Sequence, residues 1–228
     1  AVVRKKFGHA FNGGYVAHAA IGQGSVLATP LQVAQMMAGI GNGYVLPKPR
    51  LVLQVQDLNN NILESFPVEE RNPLDLLPEN VALVRQGMID VVNSSAGTAK
   101  GSRNDYVTMA GKTGTGQWIQ NEEMLYISWF AGFIPAEDPQ YAFAAVCEGD
   151  PGEYITGSSK AAPMVGQYFN ALYKAKDERG ELEGYSRTAV ASSHQLPGEE
   201  NTEEKARKAR RSFLNTLSGR SIFGRRNR

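Results

Sequence analysis

The sequence contains one cysteine and three histidines in 228 residues. A single thiol cannot close an internal disulfide, and no Cys/His cluster has metal-ligand spacing. Neither a disulfide framework, a resident metal nor a cofactor is expected. Also missing is any run of about 18 apolar residues, the length a membrane helix requires. Residues 7–47 lack Asp, Glu, Lys and Arg altogether, but Asn12, Pro30, Asn42, three Gln and many glycines interrupt them. That stretch is therefore not a transmembrane helix. The chain starts Ala-Val-Val-Arg-Lys-Lys, without the apolar core or cleavage site of a signal peptide. It reads as a cut inside a longer protein or as a processed terminus.

What is present is ordinary globular material, 42% hydrophobic and 21% charged, which excludes a disordered or collagenous chain. The net charge of +1 is an average over two unlike parts. Residues 205–228 hold nine basic side chains and no acidic one, which leaves residues 1–204 with a net charge of −8. An acidic body thus carries a basic tail. The tail could meet anionic lipid, nucleic acid or an acidic partner, or be a solvated extension. Phe213 and Phe223 are too far apart to interleave with it as a single-strand binder's aromatics do.

Local patterns outline the body. Tyr15–Ala20 reads as a short strand entering the turn Ile21-Gly22-Gln23-Gly24. Thr29 and Pro30 are an N-cap and first residue for a helix in which Leu31, Ala34, Met37, Ala38 and Gly41 recur at helical spacing, ended by Gly41-Asn42-Gly43. Leu51–Gln56 and Ile62–Phe66 form a hairpin about Asn59-Asn60-Asn61. Pro78 and Glu79 open a second helix, with Val81, Val84, Met88, Val91 and Val92 on one face. After the loop Ser94–Gly101 come three strand-like runs, Tyr106–Gln117, Leu125–Ile134 and Tyr141–Glu148, expected to be antiparallel neighbours. Ala161–Lys174 is a closing helix. The expectation is an α/β (α+β) domain over residues 1–175, an antiparallel sheet flanked by helices. A polar linker (176–202) and a basic, disordered tail (203–228) with one possible helix at Glu203–Leu217 would follow.

Gly111-Lys112-Thr113-Gly114-Thr115 is the stretch that suggests chemistry. A phosphate-binding P-loop needs a glycine five residues before Gly111, and that position is Tyr106. A second reading is the Lys-Thr-Gly element of active-site serine enzymes that handle penicillin or peptidoglycan. On an edge strand, Lys112 offers a positive charge to a carboxylate, and Gly114 lets a substrate backbone lie alongside as an added strand. The Thr113 and Thr115 hydroxyls, at period two, share a face and can bind the carboxylate. The Thr115 N–H could be half of an oxyanion hole. From these residues alone, Lys112 as a surface lysine beside a Gly/Thr turn stays open.

Other segments extend the likeness in a consistent order. Ile21-Gly22-Gln23-Gly24, Ala28-Thr29-Pro30-Leu31-Gln32 and Gly41-Asn42-Gly43 precede Ala96-Gly97-Thr98-Ala99. After Gly-Lys-Thr-Gly-Thr-x-Gln come Phe130-Ala131-Gly132-Phe133-Ile134-Pro135 and Ala161-Ala162-Pro163. Together they resemble the transpeptidase domain of class B penicillin-binding proteins, elongation-type, over residues 7–175. Gly116 departs from the family's usual Ala. The resemblance implies the penicillin-binding protein/serine β-lactamase-like transpeptidase fold and a peptidoglycan D,D-transpeptidase that cross-links stem peptides through an acyl-serine. Lys112 and Thr115 would be catalytic; Thr113, Gly114, Thr115 and Gln117 would bind substrate. Stem peptides, β-lactams, a glycosyltransferase and cell-wall elongation proteins are the implied partners. The implied location is extracytoplasmic, with an inner-membrane anchor absent from this chain and no nucleic acid within reach.

The family also needs a Ser-x-x-Lys nucleophile and a Ser-x-Asn element upstream of Ile21. No Lys here has Ser three residues before it, and Ser102-Arg103-Asn104 lies too late, so its match is accidental. These residues are expected to be the C-terminal half of a catalytic domain, inactive alone. A same-fold β-lactamase or D,D-carboxypeptidase, and a non-catalytic cell-wall scaffold, are the alternatives. Among other residues, His9, His18 and His194 read as solvated or satisfied structural histidines and Cys147 as a buried thiol. Trp118 either flanks the groove or is a half-buried strand residue, and Glu148, Asp150 and Glu153 are a solvated loop cluster.

Overall fold

The uncharged N-terminal stretch is helical where its pattern suggested a strand. The computed structural model describes residues 13–24, 27–43, 45–71 and 76–182. His9, His194, the chain beyond residue 182 and the possible helix at 203–217 lie outside them. Helix α1 spans Gly13–Ala20. A short apolar run does not distinguish strand from helix by periodicity, and Ala17, Ala19 and Ala20 favour helix. Gly22, at φ +72°, ends it: its N–H donates to the Ala19 carbonyl at 3.0 Å, and the Gln23 N–H to the His18 carbonyl at 2.9 Å. That pair of bonds is a Schellman closure, which needs a residue free to adopt positive φ.

Helix α2, Pro30–Gly41, starts with the expected cap. The Thr29 hydroxyl accepts the Gln32 N–H at 3.2 Å and the Gln32 side chain accepts the Thr29 N–H at 2.8 Å, a capping box. Of the expected inward stripe, Met37 and Gly41 are buried and Ala34 and Ala38 partly buried, and only Leu31 falls outside it. Met37, Gly39 and Gly41 are buried with Val33 and Ile40 partly so, whereas Leu31 is exposed. Strands β1 (Gln54–Gln56) and β2 (Ile62–Ser65) form the hairpin, shorter than the β-like run at 51–56. Asp57 closes its turn by accepting N–H groups of Asn59 and Asn61 at 2.8 and 2.9 Å. The Asn61 side chain, then its backbone N–H, hold the Asp57 carboxyl below its ordinary pKa.

Helix α3, Pro78–Asn93, buries Val81, Met88 and Val92. Val84, predicted on that face, is exposed, because the buried stripe is narrow and Val84 falls on its flank. Strands β3 (Ala110–Gln120), β4 (Glu123–Ile134) and β5 (Tyr141–Glu148) pair antiparallel in that order. β3 begins later than expected, at Ala110, since Asn104 instead shapes residues 104–107 by accepting the Tyr106 and Val107 N–H groups. Helix α4 runs from Ala162 to Glu178, past the expected end at Lys174.

Alternation along the strands builds two cores. Phe130 and Ile134, with Phe143, Ala145 and Cys147, face α4 and its Val165, Phe169 and Tyr173. Ala110, Ala131 and Phe133, with Ala142 and Ala144, face Met37 and Met88 of α2 and α3. Cys147 is half-buried rather than fully buried. The antiparallel sheet flanked by helices is thus as expected.

Two arginines finish the helices electrostatically. Arg85 donates to the Ile40 carbonyl at 3.2 Å, to that of Gly41, and to the Ala136 carbonyl at 2.8 Å. It thereby serves the C-terminus of α2 while its guanidinium lies 5.1 Å from the Phe133 ring centroid. Arg103 serves α3 likewise, donating to the Val92, Asn93 and Ser94 carbonyls at 3.1, 2.7 and 3.0 Å. Cations there satisfy orphan carbonyls and oppose the negative end of the helix dipole.

Backbone contact distances separate the sheet glycines. A Cβ on Gly132 would sit 2.0 Å from the Ala110 carbonyl oxygen, whereas one on Gly116 meets Ile127 at an ordinary 3.5 Å. Gly132→Ala should therefore lower stability by about 3 kcal/mol or more, while Gly116→Ala should be neutral or raise it by up to about 1 kcal/mol. Chemical denaturation of the two variants, compared with the parent, checks both.

Candidate functional site

β3 has no strand on its far side among the described residues. Its pairing therefore decides which backbone groups are free. Lys112 opposes Ala131, Thr113 opposes Phe130, Gly114 opposes Trp129 and Thr115 opposes Ser128. In an antiparallel pair, successive residues turn their N–H and C=O alternately toward and away from the partner. Flanking bonds fix the phase. The Ala136 N–H donates to the Thr108 carbonyl, so Thr108, Ala110, Lys112 and Gly114 turn toward β4. The Gly149 N–H takes the Tyr126 carbonyl and the Gln140 N–H that of Ile134, so even-numbered β4 residues turn toward β5. Thr113, Thr115 and Gln117 consequently direct their backbone polar groups to the open edge.

Two side chains already use that edge. The Lys112 ammonium donates to the Thr113 carbonyl, and the Gln23 side-chain amide donates to the Thr115 carbonyl at 3.2 Å. The Thr113 hydroxyl lies 2.8 Å from the Thr98 hydroxyl. Thr98 is set there by a tight turn after α3, where a Cβ on Gly97 would be 2.4 Å from the Val91 carbonyl oxygen.

The structure brings the predicted residues together along one edge but divides them between faces. Thr113, Thr115 and Gln117 alternate onto the side of Phe130 and α4. Lys112 and Gly114 alternate onto the side of Ala131 and α2. The Lys112 and Gln117 side chains are exposed and the two threonines half-buried. Gln23 and Thr98 carry contacts that residue-by-residue reading missed. Both lay inside quoted segments, but nothing in linear sequence pairs position 23 with 115 or 98 with 113. Trp118 is 44% exposed at the outer end of β3.

The Phe130 side of this edge is braced by a π-helical turn, Gly157–Ala161. Gly157 packs flat on the ladder: a Cβ there would be 2.4 Å from the Trp129 carbonyl and 2.8 Å from the Gly114 nitrogen. Buried Ser128, opposite Thr115, locks the turn by donating to the Thr156 carbonyl at 2.7 Å and accepting the Ala161 N–H at 3.0 Å. Ahead of the turn, the Glu153 carboxyl is held below its ordinary pKa by the Asp150 backbone N–H first, then by Lys160 at 3.3 Å. No cluster of His, Cys, Asp and Glu among the described residues could hold a metal ion. Ser102 is fully buried and donates to the Ala99 carbonyl at 2.7 Å, so the Ser-x-Asn match serves the fold.

Several known proteins are similar to this chain. The family model described as the penicillin-binding protein transpeptidase domain matches residues 6–172. The peptidoglycan D,D-transpeptidase PbpA of Mycolicibacterium smegmatis is 34% identical over 151 residues, which are 63% of this chain and 29% of that protein. The crystal structure of Pseudomonas aeruginosa penicillin-binding protein 2 superposes with a TM-score of 0.58 at 33% identity, covering 75% of this chain and 35% of the other. Penicillin-binding protein 2 of Helicobacter pylori, solved in complex with MreC, gives 0.57 at 30% identity over 76% and 29% of the two chains. The chain thus spans about a third or less of the proteins it matches.

Ser128→Ala should cost about 2 kcal/mol, because it leaves the buried Ala161 N–H without an acceptor; the shift in denaturation midpoint measures it. A depressed carboxyl pKa contributes stability above the ordinary carboxylate range that is lost as pH falls through the depressed value. Glu153→Gln should therefore flatten the acid limb of the stability profile between the two, as acid titration of parent and variant would reveal.

Proposed function

The chain belongs to the penicillin-binding protein transpeptidase domain family, and on that premise we propose that it is the substrate-binding part of a peptidoglycan D,D-transpeptidase. The observation that carries the reading is the outward-facing backbone of Thr113 and Thr115 beside Lys112 and the Thr98–Thr113 hydroxyl pair. An extended peptide can add to this edge as a further strand, since no strand of the described residues pairs there, in exchange for the Lys112 and Gln23 side-chain contacts to the edge carbonyls. Gly114 adds no side chain between the two threonines.

In this reading Lys112, Thr113 and Thr115 receive the terminal carboxylate of the donor stem peptide, or that of a β-lactam. The cation and hydroxyls match a carboxylate's charge and acceptors. Gln117 contacts the peptide further along the same face. The Thr115 N–H points at the edge where the scissile carbonyl would lie, and donates to its oxygen as negative charge develops in acyl transfer. The nucleophile is a serine outside these 228 residues. Its hydroxyl oxygen bonds the carbonyl carbon while the terminal residue departs as the amine, giving an ester that an acceptor amine then resolves. Since no Ser-x-x-Lys occurs in this sequence, the 228 residues alone do not acylate.

The intact protein is placed on the outer side of the cytoplasmic membrane, held by an anchor outside this sequence; no helix of the described residues is long and apolar enough to cross a membrane. A glycosyltransferase and cell-wall elongation proteins are its proposed partners. Residues 1–175 are assigned to the transpeptidase domain, 176–202 to a linker and 203–228 to the basic tail.

Fluorescent penicillin distinguishes the alternatives. The longer protein that includes the residues preceding Ala1 should label covalently, whereas the 228-residue chain should not. Lys112→Ala in the longer protein should reduce the second-order acylation rate on the order of 100-fold. Labelling of the short chain, or a longer protein that never labels, would refute the assignment; stem peptides released by water without cross-linking would favour a hydrolase.

A further inference from the structure

The loop between β5 and α4 is carried over the face of β3 that bears Thr113, Thr115 and Gln117. Tyr126 opposes Gln117 in the register and, like Phe130, alternates onto the α4 side. The Tyr154 ring packs edge-on against it, with centroids 4.8 Å apart. Further on, the Thr156 carbonyl accepts the Ser128 hydroxyl and Gly157 lies on Gly114. Glu153 and Lys160 close this loop with an ion pair at 3.3 Å, their side chains 43% and 53% exposed. The second Glu153 oxygen accepts the Asp150 N–H at 3.3 Å. The carboxylate is therefore fixed by its own loop, whereas the ammonium meets it in the open.

A pair this exposed contributes little to folding, so stability does not account for two charges poised beside a substrate edge. The substrate supplies a reason. An enzyme that joins stem peptides to one another uses an amine of one stem as the acceptor. Every donor stem of the same kind brings that amine along, as an ammonium at neutral pH. Laid antiparallel on β3 with its terminal carboxylate at Thr113 and Thr115, a donor runs toward Gln117. Its residue two before the terminus lies about 7 Å further along. On the α2 side of the edge, an ammonium there would share its face with the Lys112 cation. On the α4 side, a long side chain is directed over Gln117 toward Tyr154 and Glu153.

We propose that Glu153 and Lys160 select the donor stem peptide by the charges of that side chain, favouring one that ends in both an ammonium and a carboxylate. The ammonium takes the place of Lys160 on the Glu153 carboxylate, and Lys160 turns to the carboxylate of the same side chain. Two ion pairs then stand where one stood. A side chain with an ammonium alone displaces Lys160 without offering it a partner, so it gains nothing over a neutral one. The inference rests on the transpeptidase reading above and names the substrate class of that site. Neither residue touches the reacting atoms; both act on the choice of donor.

Competition against fluorescent penicillin measures that choice in the longer protein. Three pentapeptides ending in D-alanyl-D-alanine differ only in the residue two before the terminus: 2,6-diaminoheptanedioate, lysine or Nε-acetyllysine. The concentration that halves the labelling rate should be about fivefold lower for the first than for either of the others. Lys160→Ala frees Glu153 for an ammonium, so the lysine peptide should then compete about fivefold better than the acetyllysine peptide. Adding Glu153→Gln to Lys160→Ala should bring those two within about twofold. Thermal melting identifies a variant that fails to fold, and the wild-type ranking needs no variant.

A longer protein that never labels would overturn both the transpeptidase reading and this inference. Protein that labels but ranks the three peptides equally, or is protected by none of them, overturns the inference alone. So does a folded Lys160→Ala variant that treats the lysine and acetyllysine peptides alike, because Glu153 would then not be the partner of the ammonium.

Discussion

Everything in the candidate site depends on the phase of β3 against β4. Eleven consecutive pairs, from Ala110 opposite Phe133 to Gln120 opposite Glu123, set it without a bulge. A one-residue slip would exchange the faces of every side chain and turn the Thr113 and Thr115 backbones inward. In one direction it would also place Thr113 and Thr115 where Lys112 and Gly114 now sit. The register is held because one face needs Ala110 against the α2 side and the other needs Gly111 beneath the Phe130 ring. A Cβ at Gly111 would lie 2.5 Å from that ring.

Glycines let the ladder and the elements packed on it approach closely. Gly132 lets the β4 backbone approach Ala110, Gly157 lets the π-helical turn rest on Gly114 and Trp129, and Gly166 lets α4 meet Ser102, whose Cα would lie 2.6 Å from a Cβ there. Each is a place where packing of backbone on backbone replaces side-chain burial. The polar groups exposed by such tight turns find fixed partners. Ser128 serves the π-helical turn, Arg103 the end of α3, and Asn170 joins α4 to the Arg103 carbonyl at 2.9 Å. Unpaired, these groups would cost more than the packing recovers.

The parts of this fold that sequence made legible are those decided by local chemistry. Thr29-Pro30 announced a capped helix, and the three strands lay close to their expected positions because alternation and polar turns are short-range signals. Residues 15–20 misled because a short run of five apolar residues and His18 satisfies either period, and the Schellman bonds beyond Ala20 mark it as a helix. Val84 and Leu31 misled for a related reason: an apolar residue near the margin of a stripe is buried only if a neighbouring element extends that far. Lys112, Thr113, Gly114, Thr115 and Gln117 could be singled out because a contiguous motif on one strand keeps its chemistry within a few residues.

Sequence by itself determined the family and the order of the elements from Thr29 onward, and it singled out the strand proposed to receive a substrate, since all three are written in contiguous or ordered segments. Tertiary structure alone decided which atoms of that strand are free. The partition of Lys112 from Thr113 and Thr115, the hydroxyl contact with Thr98 and the capping of the Thr115 carbonyl by Gln23 arise from pairing and from loops distant in the chain. Hydrogen-bond direction is a property of the register between strands, and no single strand's residues specify it.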